Sequence, residues 1–306
     1  SIVLPATEVI LPTITADKIS INNTKAFYQS KIDNLSANVA ITDFYSEIPS
    51  ADLKKNSFDV NTIQLHKSEI LLALNSRDNQ KVNNNTPVTF SWPAIDLKID
   101  EIDFSENKVQ SAVNNQKPSL NVFNPEALFI DNLNLKAKEI KLKDKQAELE
   151  IERFNFKEKS GLNLSKFQLT IKATDTKTSI SDLKIAVNQN KISGNLQANY
   201  TSLSKLISSP ETTNLQINLP SFNVWLKEVF RFQPQLKENE YLSKLSAKAF
   251  QGKLFIDGNL NDLKIENTSV NWGNATNVSL NGSVKNATNP DKLQLNLPNF
   301  KAETKR

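Results

Sequence analysis

The chain has no cysteine, no methionine and a single histidine, His66, among its 306 residues. Without cysteine there is no disulfide scaffold, no thiolate zinc site and no thiol nucleophile. One histidine cannot build a histidine-based metal cluster. His66 stands beside Leu65 in an alternating stretch and reads as a strand surface residue. The lack of methionine, the initiator included, suits a processed chain or an internal segment of a longer one. An excess of charge of one sign is also missing. The balance of 37 basic and 33 acidic residues leaves +4, spread along the chain, which gives no footprint for nucleic acid or an anionic membrane. No apolar run approaches the roughly 18 residues of a spanning helix, and no signal peptide opens the sequence. Glycine is scarce, with six in all, which argues against solenoids that turn on Gly-Gly or Gly-Asp. Asparagine is abundant and tolerates left-handed turn positions, so it is expected to turn the chain instead. Chance explains the Asn-x-Ser/Thr triplets at Asn22, Asn34, Asn163, Asn199, Asn274, Asn281 and Asn286 in so Asn-, Ser- and Thr-rich a sequence.

Catalytic signatures are missing as well. There is no G-x-S-x-G elbow, no P-loop and no G-x-G-x-x-G. Asp100, Glu101 and Asp103 cluster, but alternation with Ile99, Ile102 and Phe104 turns them outward. No carboxylate pair stands out for glycoside chemistry. The chain reads as a non-enzyme, with no cofactor and no metal.

What is present is a period of two. Ile19 and Ile21, then Leu35, Ala37, Val39 and Ile41, alternate with polar residues. So do Ile95, Leu97 and Ile99, and later Phe167, Leu169, Ile171 and Ala173. The same beat carries Leu183, Ile185 and Val187, then Leu215, Ile217 and Leu219, then Leu293, Leu295 and Leu297. Such alternation gives strands with one apolar and one wet face, joined by short polar turns, so the chain is all-β and antiparallel. About twenty such beats would extend on the order of 100 Å as one sheet. Periodicity leaves two architectures open: one long curved sheet whose apolar face lines a trough, or two or three sandwiches in a row. Residues 75–87 and 107–127 lack alternation and read as polar loops or boundaries.

One repeat is nearly literal. The octapeptide from Leu215 to Phe222, LQINLPSF, recurs from Leu293 to Phe300 as LQLNLPNF. Leu11-Pro12-Thr13-Ile14 and Trp92-Pro93-Ala94-Ile95 are weaker echoes. Proline cannot donate to a ladder, so each copy is expected at a strand end or edge. After Pro220 the period changes: Phe222, Trp225, Leu226, Val229 and Phe230 fall on one helical face, with Ser221 as N-cap and Pro234 as stop. This predicts one short amphipathic helix near 222–232, and a weaker turn through Tyr241, Leu242 and Leu245. With only Lys227 and Arg231 as its cations, that helix fits a cover over an apolar trough better than a membrane-surface helix; a core helix on a sheet is the plain alternative.

Several stretches resemble the TamB/AsmA-like superfamily, in the form found in Bacteroidetes-type bacteria. They are LPSFNVWLKEVF from Leu219 to Phe230, followed by Phe232-Gln233-Pro234-Gln235-Leu236, and GKLFIDGNLNDL from Gly252 to Leu263. FNPEALFIDNLNL from Phe123 to Leu135 and FNFKEKSGL from Phe154 to Leu162 add to them, with Ile19–Asn23 and Ile102–Asn107 as AsmA-like units. The resemblance covers 123–306 well and 1–122 more loosely, which suggests an AsmA-like unit over 1–122 and a TamB-like unit over 123–306.

The resemblance implies a β-taco with a greasy interior in the periplasm, part of a protein anchored in the inner membrane and reaching the outer one. Its implied partners are phospholipids and a BamA-type outer-membrane barrel (TamA, or TamL in this lineage), and not nucleic acid. The implied function is transport of phospholipid acyl chains along the groove. Alternatives are an assembly module for outer-membrane proteins, taking client strands at its edges, and a surface adhesin of stacked β modules. The groove lining is expected to include Leu133, Leu135, Leu149, Ile151, Phe154, Phe156, Leu169, Ile171, Leu215, Ile217, Leu293 and Leu295. A charge there, as in Leu169→Asp or Ile217→Arg, is expected to block passage and leave the fold nearly intact.

Overall fold

The computed structural model describes residues 13–75 and 90–305. They form one long curved sheet of fifteen strands. The first half holds β1 (Thr13–Ser30), β2 (Leu35–Asp52), β3 (Ser57–His66), β4 (Glu69–Leu74), β5 (Asp96–Val113), β6 (Ala127–Lys143) and β7 (Gln146–Glu158). The second holds β8 (Asn163–Thr174), β9 (Lys177–Val187), β10 (Asn190–Asn199), β11 (Asn214–Val224), β12 (Phe250–Asn259), β13 (Asp262–Trp272), β14 (Thr276–Lys285) and β15 (Gln294–Thr304). Neighbours in sequence are neighbours in the sheet, with one exception. β3 and β4 act as a single strand broken at Lys67 and Ser68; β2 runs antiparallel along both, and β5 runs parallel along both. A parallel pair needs a return connection of the chain between its two strands. Beyond Asn75, the loop expected over 75–87 lies outside the described residues.

The sheet has fourteen side-by-side positions, roughly 60 Å at about 4.8 Å each, so the beats overcount the strands. Ile130 and Leu133 fall in one strand, β6, and Ile151 and Phe154 in another, β7; each pair straddles a register shift. A bulge inserts one residue, slips the alternation and lets the strand continue. Residues 107–113 likewise belong to β5, and the boundary expected near 122 falls in the loop to β6, across which the ladder is continuous.

Asparagine does the turning that glycine does elsewhere. Asn23, Asn34, Asn56, Asn132, Asn188, Asn267 and Asn286 all have φ near +50°. At several bulges the backbone N–H freed from the ladder donates to a side chain on an adjacent strand. Glu106 N–H donates to Asn134 Oδ1 (3.0 Å), Asp182 N–H to Asn195 Oδ1 (3.1 Å) and Phe255 N–H to Thr268 Oγ1 (3.1 Å). Asn107, only 2% exposed, accepts from Ser68 N–H at 2.9 Å and donates to the Leu65 carbonyl at 2.7 Å. At these bulges the freed backbone donors find side-chain partners, so the strands can bend there at little cost.

The expected helix differs from the observed one. Phe222, with Asn223 and Val224, completes β11; Ser221 pairs with Ser193 and is no N-cap. A 3₁₀ helix follows at Leu226–Arg231, and Pro234 opens a second one, Pro234–Glu238, where a stop was expected. Trp225 offers no side-chain cap, whereas Ser202 and Asn239 cap the equally short α-helices at Leu203–Ser208 and Glu240–Leu245. Asn190 Oδ1 instead takes the Trp225 N–H at 2.7 Å and pins the end of the strand. The turn through Tyr241 and Leu245 is α2 (Glu240–Leu245), after α1 (Leu203–Ser208) between β10 and β11. Pro298 sits at a bulge of β15, an edge strand among the described residues, as expected; Pro220 instead sits at a bulge inside the central strand β11 and not at a strand end.

Accessible surface is 20082 Å², where a compact chain of 34.3 kDa would expose about 12,900 Å². Eleven apolar residues form the buried core of the described residues. Among the described residues the sheet is a single layer, with no second sheet packed over it.

Candidate functional site

The pairings set apolar side chains opposite one another in rows that cross the sheet. In the first half the row is Ile21–Phe44–Leu65–Phe104–Leu135–Phe154. Below it runs Ile63–Ile102–Ala137–Ile151–Leu169. The second half carries Leu149–Ile171–Ile180–Leu196–Ile217–Ile256–Ile265 across seven strands. Beside it lies Phe167–Ile185–Ile192–Phe222. Leu135 and Ala137, Leu149 and Ile151, and Ile192 and Leu196 stand an even number of residues apart, so the rows share a face.

That face is lightly covered. Apart from Ala137 and Leu169, the side chains of these rows are half-buried or partly exposed. Each partly exposed Leu or Ile leaves roughly 1 kcal/mol of transfer free energy unrealised. A cleft of about 480 Å³ lies against the seven-strand row, and its lining mixes Ile180, Leu196, Ile217, Phe255 and Ile256 with polar residues of the alternate positions, among them Ser179, Gln197, Gln216, Asn218, Asp257 and Glu266. The volume falls in the range of small-molecule sites.

The opposite face is a lattice of ion pairs. Lys136 lies 3.6 Å from Glu101 and 3.9 Å from Glu152, and Lys138 lies 2.7 Å from Glu152. Asp103 meets Arg153 at 3.6 Å and Glu148 meets Lys172 at 3.5 Å. The Glu152 hydrogen bond holds the Lys138 ammonium above its ordinary pKa, as Asp100 and then Asp59 do for Lys98. The carboxylates Asp100, Glu101 and Asp103 therefore serve an outer charged face. His66 Nδ1 lies 2.6 Å from Ser105 Oγ across the β3–β5 pair, a strand-to-strand contact.

The expected lining residues divide. Leu135 faces Phe154, Leu149 faces Ile171, Ile151 faces Leu169, and Phe156 faces Leu164. The Phe154 ring lies 5.5 Å from Phe156 and 6.2 Å from Phe167, an aromatic cluster on the trough wall. Leu215 and Ile217 sit in the ladder opposite Ala198 and Leu196. Leu133 sits opposite the buried Asn107, at the line of bulges. Leu293 lies at the end of a 3₁₀ turn before β15, and Leu295 is 62% exposed on the outermost strand. Of the residues expected on the helix, Phe222 is in β11, while Leu226, Val229 and Phe230 lie on the 3₁₀ turn after Trp225. Ile180, Leu196, Ile256 and Ile265 were not singled out, although their alternation is as regular as that of β7 and β8.

Turns line up along two rims, where the strands end. On the first rim are the turns at 31–34, 114–126, 159–162 and 188–189, the insertion 225–249, and the turn at 273–275; bonds such as Asn114 N–H to the Leu74 carbonyl (2.8 Å) and Lys159 N–H to the Phe129 carbonyl (3.0 Å) tie the strand ends there together. The insertion runs back along this rim. Arg231 donates to the Ser160 carbonyl and meets Glu228 at 3.6 Å, and Glu228 accepts from Asn188 Nδ2 at 2.6 Å. Phe232 packs on Phe123 of the β5–β6 loop at 5.4 Å, where the Phe123 N–H donates to the Arg231 carbonyl (2.8 Å). On the second rim, Trp92 Nε1 donates to Asp175 at 3.1 Å and Ser204 Oγ of α1 donates to the Phe90 carbonyl at 2.8 Å.

No helix among the described residues is long and apolar enough to cross a membrane. Comparison with protein-family models, curated proteins and solved structures returns no match, so the functional reading rests on the residues and their geometry.

Proposed function

We propose that this chain is a segment of a TamB-like, bridge-type lipid carrier in the periplasm, whose trough holds phospholipid acyl chains between the inner and outer membranes. The observation that carries the reading is the seven-strand row from Leu149 to Ile265, continuous, apolar and partly uncovered. An acyl chain in water costs about 0.8 kcal/mol per exposed CH₂. A row of Ile and Leu offers nearly the same relief at every strand, so a chain can slide without a deep well at any one position. Headgroups stay in water beyond the rims. No catalytic group is needed, and direction comes from the membranes or from a partner such as a BamA-type barrel.

The test is native mass spectrometry of the chain after incubation with phospholipid vesicles. Phospholipid adducts are expected on the wild type and not on Ile217→Arg, whose side chain would stand in the middle of the row. Equal adducts on both proteins, or none on the wild type, refute the trough.

A second reading, an assembly module for outer-membrane strands, draws on β15. Leu295 and Phe300 of that strand are 62% and 56% exposed, and its outer edge has no partner among the described residues. Strand addition at such an edge needs only backbone groups and alternate side chains. Crosslinking from β15 to an unfolded outer-membrane protein, and not to lipid, would favour it.

A further inference from the structure

The two rims differ in chemistry. The loop 114–126 and the insertion 225–249, packed together through Phe123 and Phe232, expose Leu120, Val122, Val229, Phe232, Tyr241 and Leu245. Leu120 and Tyr241 are 77% and 79% exposed. Among them stand lysines laid over aromatic rings. Lys227 lies 4.3 Å from the Trp225 ring centre, Lys248 lies 4.7 Å from that of Trp272, and Lys159 lies 5.4 Å from that of Phe129. These three and Lys237 make no ion pair among the described residues, while Lys244 and Arg231 are paired with Glu240 and Glu228. Glu126, Glu238 and the buried Glu158, which accepts from the Phe129 and Ser160 N–H groups, are the rim's other carboxylates near this cap. The second rim also carries lysines that make no ion pair among the described residues (Lys54, Lys177, Lys205, Lys285 and Lys292), beside Lys55 paired with Asp52 and Lys145 with Asp175, but its exposed apolar side chains, Ile14, Ile207 and Leu293, are scattered along it and not gathered in one cap.

We propose that the first rim docks on the surface of a phospholipid bilayer, with Leu120, Tyr241 and their neighbours in the headgroup–acyl boundary and the lysines at phosphate level. Aromatic rings, aliphatic side chains and lysines with their stems on apolar surface are the side chains that partition to that boundary. A protein groove would call for a shaped apolar recess; here the exposed apolar side chains stand on the loop 114–126, a 3₁₀ helix and the short α2. The sequence hid this surface because the cations come from separate segments. The helical face of 222–232 carries two, and the turn at 159 and the chain at 237–248 bring the rest. The inference rests on the trough reading for its purpose, entry of lipid over one rim, and uses different residues for its test.

The experiment is flotation of the whole chain with vesicles of phosphatidylcholine and phosphatidylglycerol. The wild type is expected to float, less so at high salt, because exposed lysine–phosphate attraction is screened. The doubly substituted Leu120→Asp, Tyr241→Asp chain changes two exposed positions, so it should keep its fold by circular dichroism and lose at least tenfold in partition. Ile207→Asp, on the other rim, should float like the wild type. Ile217→Arg should also float while losing its lipid adducts, which separates failure of the trough from failure of the rim. A wild type that ignores these vesicles, or a double variant that floats equally well, overturns the proposal; self-association through the rim without vesicle binding would assign it to protein contacts instead.

Discussion

Gly194 of β10 lies so close to Asn218 of β11 that a Cβ added to it would stand 2.1 Å from the Asn218 carbonyl oxygen. Gly282 of β14 stands in the same relation to Asn296 of β15, also at 2.1 Å. Asn218 and Asn296 are the fourth residues of the two octapeptide copies, and Leu219 and Leu297, the fifth, lie 2.8 and 2.9 Å from the same two built positions. The repeat is thus a structural device: a proline bulge in one strand pressed against a glycine in its neighbour.

Gly194→Ala is expected to destabilise the chain by about 1–3 kcal/mol, because a methyl group would have to displace backbone. Gly282→Ala should cost less, since β15 is outermost among the described strands and can move away. Thermal midpoints of the two variants against the wild type decide it; midpoints equal to the wild type's would mean the bulges yield at no cost.

Asn107→Ala removes a buried amide and leaves the Ser68 N–H and the Leu65 carbonyl without these partners. A loss of about 1–3 kcal/mol is expected. Chemical denaturation measures it, and faster hydrogen exchange at Ser68 should accompany it.

The two charge substitutions separate. Leu169 is 8% exposed, so Leu169→Asp buries a charge and should unfold part of the sheet, contrary to the expectation of an intact fold. Ile217 is partly exposed, and the long stem of an arginine can reach water, so Ile217→Arg should keep the strand content that circular dichroism reads.

Arg231→Ala removes the link from the insertion to Ser160 and Glu228. Hydrogen exchange over 225–249 and around Phe123 should rise at least tenfold while β8 to β10 stay protected. Unchanged exchange would show that the Phe123–Phe232 contact holds the strap alone.

Stability should depend on pH at both extremes. Asp52 is held below the ordinary carboxylate range by the backbone N–H of Lys55, and Glu47 by hydrogen bonds from the Tyr45 hydroxyl and then Asn61. Both folded pKa values are depressed, so their contribution is present above the ordinary range and lost as pH falls through the lowered values. Lys98, Lys138, Lys141 and Lys143 are raised by carboxylate partners, so theirs is full below the usual lysine pKa and lost as pH rises past it. Denaturation midpoints from pH 3 to 11 should form a plateau, and Asp52→Asn should flatten its acid limb.

Much of the strand content was legible from alternation alone. Leu149, Ile151, Phe154, Phe156, Ile171 and Ile217 could be assigned to strands because a half-covered strand must repeat every two residues. The helix was misplaced because Phe222 fits either period, while Val224, off the expected helical face, keeps the period of two that carries β11 to its end. A capping bond from Asn190, in another strand, decided between them. The strands were overcounted because a bulge and a strand end both look like a slipped beat.

Alternation and the left-handed tolerance of asparagine, both local properties, determined that the chain is strand after strand with one greasy face. Which strands lie together, that β5 returns parallel to β3, and which distant turns share a rim were decided by tertiary structure. Those outcomes depend on ladder pairing between residues far apart in sequence, and on side chains such as Arg231 and Phe123 that meet only once the sheet has curved.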